Sequence, residues 1–140
     1  MNTMIRLEEP EKTYDLCGNV IGAAMTVHST LGAGFLESVY QNALLWELRK
    51  AGLRAETQRP ITVRYDGQIV GAFVADLLVN DELIVELKVA LAIAKVHEVQ
   101  LVNYLAATGL DEGLLLNFGT ERLEFKKKFR LPRQNGQVSF

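Results

Sequence analysis

Three charged residues interrupt two otherwise apolar segments in the middle of the chain. Asp76 lies within residues 72–79, and Glu86 and Lys88 lie within residues 83–89. Both segments have the composition of buried strands, and residues two apart on a strand project from the same face. A carboxylate buried in such a strand costs free energy unless it is paired or holds a metal ion. Asp76, Glu86 and Lys88 are therefore the first candidates for a chemical site.

The length of the turn between the two segments decides whether the two carboxylates meet. A three-residue turn over residues 80–82 places Asp76 opposite Glu86. A two-residue turn would instead pair Asp76 with Val85 and move Glu86 to the other face. The hypothesis of one shared site requires the odd-length turn or a β-bulge.

A structural ion pair is the alternative explanation of the same residues. Lys88 paired with Asp76 or with Glu86 at the rim of a sheet would contribute little to stability. Structural pairs of this kind also shift pKa values. Three charged groups on one patch of two apolar strands favour a functional site over a single structural pair.

These residues resemble a known nuclease pattern. Asp76, followed after nine residues by Glu86-Leu87-Lys88, resembles the PD-(D/E)xK nuclease motif, with Ala75 at the position of the proline. Residues 34–40, which read GFLESVY, are similar to the signature of the GxxExxY family, which is assigned to that superfamily. The resemblance covers about residues 15–130 and continues in two further blocks, QLVNY at residues 100–104 and GLLLNFG at residues 113–119.

The resemblance implies a divalent-metal phosphodiesterase centre. Asp76 and Glu86 would be ligands of Mg²⁺ or Mn²⁺, and Glu37 would complete the acidic cluster from the second helix. Lys88 would act on the attacking water or on the charge that develops at the phosphorus. Hard carboxylate oxygens suit both ions, and a neighbouring ammonium stabilises developing charge. Glu37 also has a simpler explanation, because an acid in the first turn of a helix complements the helix dipole.

Two further groups of residues are candidates around this centre. The resemblance makes Gln100 part of the catalytic set and joins it to Tyr104 in a QxxxY element. His97 lies on the same side of the helix and is a candidate phosphate contact. Alternation in residues 126–130 puts Lys126, Lys128 and Arg130 on one face. That segment fits a lysine-protected edge strand as well as a phosphate-contacting rim. Its candidate contacts are Lys126, Lys128 and Arg130.

Hydrophobic periodicity predicts the order of the elements. Apolar residues recur every three or four positions over residues 13–31 and 36–52, which predicts two helices broken at glycines. Alternating β-rich segments with a hairpin dipeptide at Asp66-Gly67 follow, then a helix over residues 95–108 and two short strands. The order ααββββαββ predicts an α/β (α+β) fold, a mixed sheet flanked by helices. The resemblance makes that fold restriction-endonuclease-like.

The composition limits the class of protein. With 140 residues, 49 % hydrophobic and 23 % charged, the chain predicts one globular domain over residues 1–131 and a polar tail over residues 132–140. Lys plus Arg is 15 and Asp plus Glu is 17, a net charge of -2, so a nucleic acid must be bound by a local basic face or through a metal. The single Cys17 and two histidines exclude an internal disulfide and a four-ligand structural zinc site. No signal-like or membrane-spanning run is present, which predicts a cytoplasmic protein with no membrane partner.

Two functions remain open on these observations. The first is a divalent-metal-dependent nuclease that hydrolyses phosphodiester bonds of DNA or RNA. The alternative is a catalytically silent nucleic-acid-binding or assembly subunit that retains the nuclease fold. The presence of Asp76, Glu86 and Lys88 together favours the first, because a decayed site is expected to lose at least one of them. A domain this small offers limited contact surface to a duplex, so a homodimer or larger complex is a further prediction.

Overall fold

A computed structural model describes residues 15–132 of the protein. Residues 133–140 of the predicted tail lie outside the described residues, as do residues 1–14, so the domain boundaries stay a prediction. The described elements are α1 (Leu16–Leu31), α2 (Glu37–Lys50), β1 (Ala55–Tyr65), β2 (Gln68–Val79), β3 (Leu83–Lys88), α3 (Lys95–Thr108), β4 (Glu112–Asn117) and β5 (Glu124–Phe129).

The five strands form one mixed sheet in the order β1-β2-β3-β4-β5. Only β3 and β4 pair in parallel, because α3 returns the chain between them, and the other neighbours are antiparallel. The predicted mixed sheet with flanking helices is therefore confirmed. Within residues 15–132, three strands precede α3 where the predicted string had four, since β1 and β2 are the two arms of one long hairpin.

The first strand begins earlier than the periodicity predicted. It starts at Ala55, whereas apolar alternation is visible only from Ile61. Pro60 and the polar residues before it hide the strand, yet Pro60 pairs with Val74. A proline is tolerated there because β1 is an edge strand, so the missing N–H removes no hydrogen bond to a further strand.

Hydrophobic clusters cover both faces of the sheet. On one face, α1 and α2 pack against Val85 and Leu87 of β3. On the other face, Leu101 and Leu105 of α3 belong to a cluster that includes Ile84. Alternation along β3 thus directs the side chains at positions 86 and 88 to the face that carries α3. Each helix within residues 15–132 is too short or too polar to span a bilayer.

The turn between β2 and β3 has the length that the site hypothesis requires. Val79 pairs with Leu83, so the turn contains three residues. The N–H of Glu82 donates to the Val79 carbonyl at 3.0 Å. Asn80 and Asp81 have φ values of 53° and 57°, a left-handed conformation that these two residue types tolerate. The predicted odd-length turn is confirmed.

Candidate active site

Asp76 on β2 and Glu86 on β3 face each other just beyond the last residues that pair through backbone hydrogen bonds. The N–H of Asp76 donates to Oε2 of Glu86 at 2.9 Å. The N–H of Leu87 donates to Oδ2 of Asp76 at 2.8 Å. The regular backbone pairing ends one step earlier, at Leu77 and Val85. Each carboxylate therefore takes the place of a carbonyl acceptor on the opposite strand, and backbone groups fix the orientation of both.

The residue opposite Asp76 on β1 has an unusual backbone. Gln58 lies between two residues that pair with Leu77 and Ala75, and its φ is 53°. A non-glycine residue with positive φ is uncommon and costs conformational energy. Beside it the alternation of β2 changes, because Leu77 belongs to one core cluster and Ala75 to the other. The side chain of Gln58 donates to Oε1 of Gln41 on α2 at 3.1 Å, which ties this point of the sheet to α2.

Burial dominates the electrostatics of the carboxylate pair. Glu86 is only 6 % exposed, and burial followed by the charge of Asp76 raises its pKa to about 8. Burial also raises the pKa of Asp76, while the Leu87 N–H and the charge of Lys88 lower it. The pair therefore holds a proton on Glu86 at neutral pH when no cation is present.

Lys88 lies on the same face as Glu86 and forms no ion pair with any residue that the structure describes. Its charge lowers the pKa values of Glu86, Asp76 and Glu37. Among residues 15–132, however, no carboxylate oxygen lies within 4.0 Å of its Nζ. The alternative of a structural ion pair between Lys88 and Asp76 or Glu86 does not describe this part of the chain.

Glu37, the first residue of α2, is exposed and lies near enough to Asp76 and Lys88 for their charges to act on it. Burial and the charge of Asp76 raise its pKa, and the charge of Lys88 lowers it. Asp76, Glu86 and Glu37 do not form a three-ligand cage, since the described part of the chain contains no group of three or more His, Cys, Asp or Glu side chains arranged to hold a metal ion. The role of Glu37 as a third ligand stays a prediction.

Tyr40 fixes the loop that leads into Glu37. Its hydroxyl donates to the carbonyl of Gly32 and accepts from the N–H of Phe35 at 3.2 Å. Its ring is fully buried and stacks on Phe118 with ring centroids 4.6 Å apart. Gly34 within the loop has φ 120°, a conformation that favours glycine. The spacing of glycine, glutamate and tyrosine in this segment thus has a structural reason.

Tyr104 lies beside the carboxylate pair on α3. It is 5 % exposed, and its pKa is raised by burial and then by the charges of Glu86 and Asp76. Its ring centroid lies 5.2 Å from that of Phe73 on β2. Sequence reasoning found Tyr104 and missed Phe73, whose apolar type gave no chemical signal.

The other two candidates on α3 are further from the site chemistry. Gln100 lies one turn before Tyr104 and is exposed, and its side chain makes no hydrogen bond to any residue between 15 and 132. His97 accepts through Nδ1 from the N–H of Ala94 at 3.2 Å, so it caps the start of α3. Catalysis by Gln100 and a nucleic-acid contact by His97 stay predictions.

The basic residues of β5 do not join the carboxylate pair. Lys126 and Lys128 lie on one face, as alternation predicted, and both donate to Glu98 of α3 at 3.0 Å. Arg130 donates to Asp111 at 2.7 Å. The helix α3 thus contacts the lysines through Glu98 and β2 through Tyr104, two different parts of the sheet. Their contact with a nucleic acid stays a prediction.

Comparison with known proteins decides the family. The sequence profile of the PD-(D/E)XK nuclease superfamily matches residues 14–129. The chain belongs to this superfamily. The crystal structure of SSO0001 is similar in fold, with a TM-score of 0.55 and 15 % sequence identity over 93 % of this chain and 74 % of that chain. No curated protein matches the sequence at a significant level.

Nucleases of the PD-(D/E)XK superfamily generally use divalent metals, and the chemistry of the pair fits such an ion. Asp76 Oδ1 and Glu86 Oε1 accept no hydrogen bond from residues 15–132, which leaves one hard oxygen on each residue. A buried and a half-buried acid with no basic partner in contact within residues 15–132 are a costly arrangement that a cation would neutralise. Mg²⁺ usually takes one or two carboxylates and keeps several waters, so a third protein ligand is not required.

Asn117 holds the segment that follows Lys88, a role that sequence reasoning did not single out. It pairs with Lys88 in the parallel register and is fully buried. Its amide accepts from the N–H of Ala90 and donates to the Ala90 carbonyl, both at 3.0 Å, and also donates to Glu124 at 3.0 Å. A Cβ on Gly119 would lie 2.5 Å from the Ala90 nitrogen, so only glycine fits there. The available signal was a polar residue ending an apolar strand.

Proposed function

We propose that this protein is a divalent-metal-dependent nuclease that hydrolyses phosphodiester bonds of DNA or RNA. One observation carries the proposal. Asp76 and Glu86 are oriented by opposite strands, while Lys88 stands on their face with no carboxylate of residues 15–132 in contact. A structural cluster would be expected to use its lysine to neutralise its acids, so the free ammonium supports a catalytic role.

The residues divide the chemistry between them. Asp76 and Glu86 would hold Mg²⁺ or Mn²⁺, which when bound supplies a water of lowered pKa and a positive charge next to the phosphate. Lys88 stabilises negative charge on the phosphoryl oxygens and on the attacking water. Glu86 must lose its proton before it can act as a ligand, because metal ligands bind deprotonated.

Within the superfamily, we propose that the chain is of the GxxExxY type. Gly34 and Tyr40 support this, because they shape and hold the loop that delivers Glu37. Glu37 would then add negative charge to the metal centre as a third ligand or through a water. Gln100 would act from α3 together with Tyr104.

Nucleic acid is the partner that follows from this chemistry. Lys126, Lys128 and Arg130 could contact its backbone only by sharing or exchanging their present partners, Glu98 and Asp111. A homodimer or larger complex and a cytoplasmic location remain parts of the same proposal.

A catalytically silent nucleic-acid-binding or assembly subunit is the second candidate. Within residues 15–132, no three Asp, Glu, His or Cys side chains are arranged to hold a metal ion. This observation favours the silent subunit. It predicts that the fold is kept while cleavage is absent.

Cleavage of end-labelled single- and double-stranded DNA and RNA in Mn²⁺ tests the proposal. The natural protein is compared with Asp76→Asn, which keeps the size of the side chain and removes its charge. We expect cleavage of at least one substrate that falls by about a thousandfold or more in the variant. Equal cleavage by both proteins would assign the activity to a contaminant, and no cleavage of any substrate would favour the silent subunit.

A further inference from the structure

An exposed aromatic ring lies one side chain away from the carboxylate pair. Phe73 precedes Asp76 by three residues on β2 and is 40 % exposed. Its ring centroid lies 5.2 Å from that of Tyr104, with the two planes at 44°. Tyr104 is itself 5 % exposed and lies close enough to Glu86 that the carboxylate, after burial, raises the pKa of its hydroxyl. Tyr104 thus connects the exposed Phe73 ring to the carboxylate pair.

The exposure of Phe73 is not required by its position in the sheet. Its partner across β1 and β2, Ile61, is 4 % exposed on the same face. Tyr104 covers one part of the Phe73 ring, and the rest faces solvent. A large apolar side chain is more stable when it is buried. The exposure of Phe73 beside a charged site therefore calls for an explanation by binding.

We propose that Phe73 stacks on an unpaired base of the nucleic acid whose phosphate lies at Asp76 and Glu86, so that the substrate is single-stranded DNA or RNA or a single-stranded segment. This inference rests on the proposed nuclease function. Base–aromatic stacking tolerates any sequence because every base has a π-face. A base within a duplex is already stacked and paired, and it could reach Phe73 only after it is flipped out.

The chemistry of the surroundings favours a nucleotide over a protein surface at this ring. A nucleotide carries a flat apolar base and an anionic phosphate on one short unit. Phe73 suits the first, and the cation-binding pair with Lys88 suits the second. The chain also offers a matched control, since Val70 lies on the same strand, six residues before Asp76, and is 61 % exposed.

Cleavage of a labelled 24-mer as a single strand and as a duplex, in Mn²⁺, tests the inference. The variants are Phe73→Ala, Phe73→Trp and the control Val70→Ala, each checked by thermal melting and by mass in solution. We expect Phe73→Ala to lower kcat/KM for the single strand by about five- to hundredfold, the range of one lost stacked base. Phe73→Trp should retain the activity of the natural protein, and duplex cleavage should change less than twofold in every variant.

Three results would overturn the inference. Phe73→Ala could reduce cleavage of both substrates equally, or of neither, or it could change the solution mass, which would mean that a second protein chain covers the ring. The failure of the nuclease proposal is a separate result, namely no cleavage by the natural protein. In that case fluorescence anisotropy with the same oligonucleotides and variants decides the inference, because only stacking makes single-strand binding depend on the ring.

Discussion

The main-chain N–H of Asp76 donates to the carboxylate of Glu86 at 2.9 Å, so the backbone of one acid holds the side chain of the other. The two carboxyl groups are thus fixed close together in a largely buried part of the sheet, where ionising both is costly. Each fixed oxygen gains a hydrogen bond, but the pair still has no cation in contact among residues 15–132. The metal-free protein is therefore destabilised at this point when both acids are ionised.

Stability without metal should fall as the pH rises. The pKa of Glu86 is raised from its ordinary value of 4.5 to about 8, so folding favours the protonated carboxyl. This contribution is complete below about pH 4.5 and is lost as the pH approaches 8. Glu86→Gln mimics the neutral form, so its free energy of unfolding should exceed that of the natural protein above pH 8, by a few kcal/mol.

Urea unfolding in EDTA between pH 5.5 and 8.5 measures this difference. Glu121→Gln, in an exposed loop residue, is the control and should follow the natural protein. A difference between Glu86→Gln and the natural protein that stays constant across this range would contradict the buried, protonated state of Glu86.

Mn²⁺ should raise the melting temperature of the folded protein. A ligand that binds only the folded state at 100 times its Kd adds about 2.7 kcal/mol of stability. The effect should be larger at pH 8.5 than at pH 6, because a proton on Glu86 competes with the ion. Asp76→Asn should remove most of it, whereas Asp111→Asn, in a residue whose side chain is 86 % exposed, should keep it. An unchanged melting temperature at millimolar Mn²⁺ would count against a metal site.

Tyr40→Phe should weaken the protein and loosen the start of α2. The substitution removes the hydroxyl that joins Gly32 and Phe35, and we expect a loss of about 1–3 kcal/mol in the free energy of unfolding. Tyr65→Phe is the matched control, since Tyr65 is 59 % exposed and should tolerate the change. Chemical denaturation measures both. Equal, small effects of the two substitutions would show that the two hydrogen bonds of the Tyr40 hydroxyl contribute little to stability.

Asn117→Ala should destabilise the segment that follows Lys88. It leaves the N–H and carbonyl of Ala90 without their partner and also frees Glu124, so we expect a loss of about 2–4 kcal/mol. The control is Asn42→Ala in an exposed position of α2. Hydrogen exchange of the Ala90 amide provides a local measurement. Protection that survives the substitution would contradict the role of Asn117.

The main features of the fold and the facing acids were predictable from the sequence. Periodicity located the helices, and the apolar segments around Asp76 and Glu86 located two strands of the sheet. Because side chains alternate along strands, the length of the turn between the two strands decided whether the acids meet. The left-handed residues at Asn80 and Asp81 supplied the three-residue turn.

Other parts of the site could not be predicted, because they depend on packing between distant elements. The positive φ of Gln58 has no local signal, and it reflects how β1 meets β2 and α2. The shared face of Lys126 and Lys128 followed from alternation, but their partner Glu98 depends on how α3 crosses the sheet. Sequence reasoning therefore predicted the direction of the lysines and not their neutralisation.

The most direct test of the central claim is the single-turnover rate of phosphodiester cleavage in Mn²⁺ by four proteins: the natural chain, Asp76→Asn, Lys88→Ala and the double variant. Groups that act as one catalytic unit are strongly non-additive. We predict that each single variant loses about a thousandfold or more and that the double variant is hardly slower than either. Equal rates for all four proteins, or losses that multiply in the double variant, would contradict a shared catalytic centre.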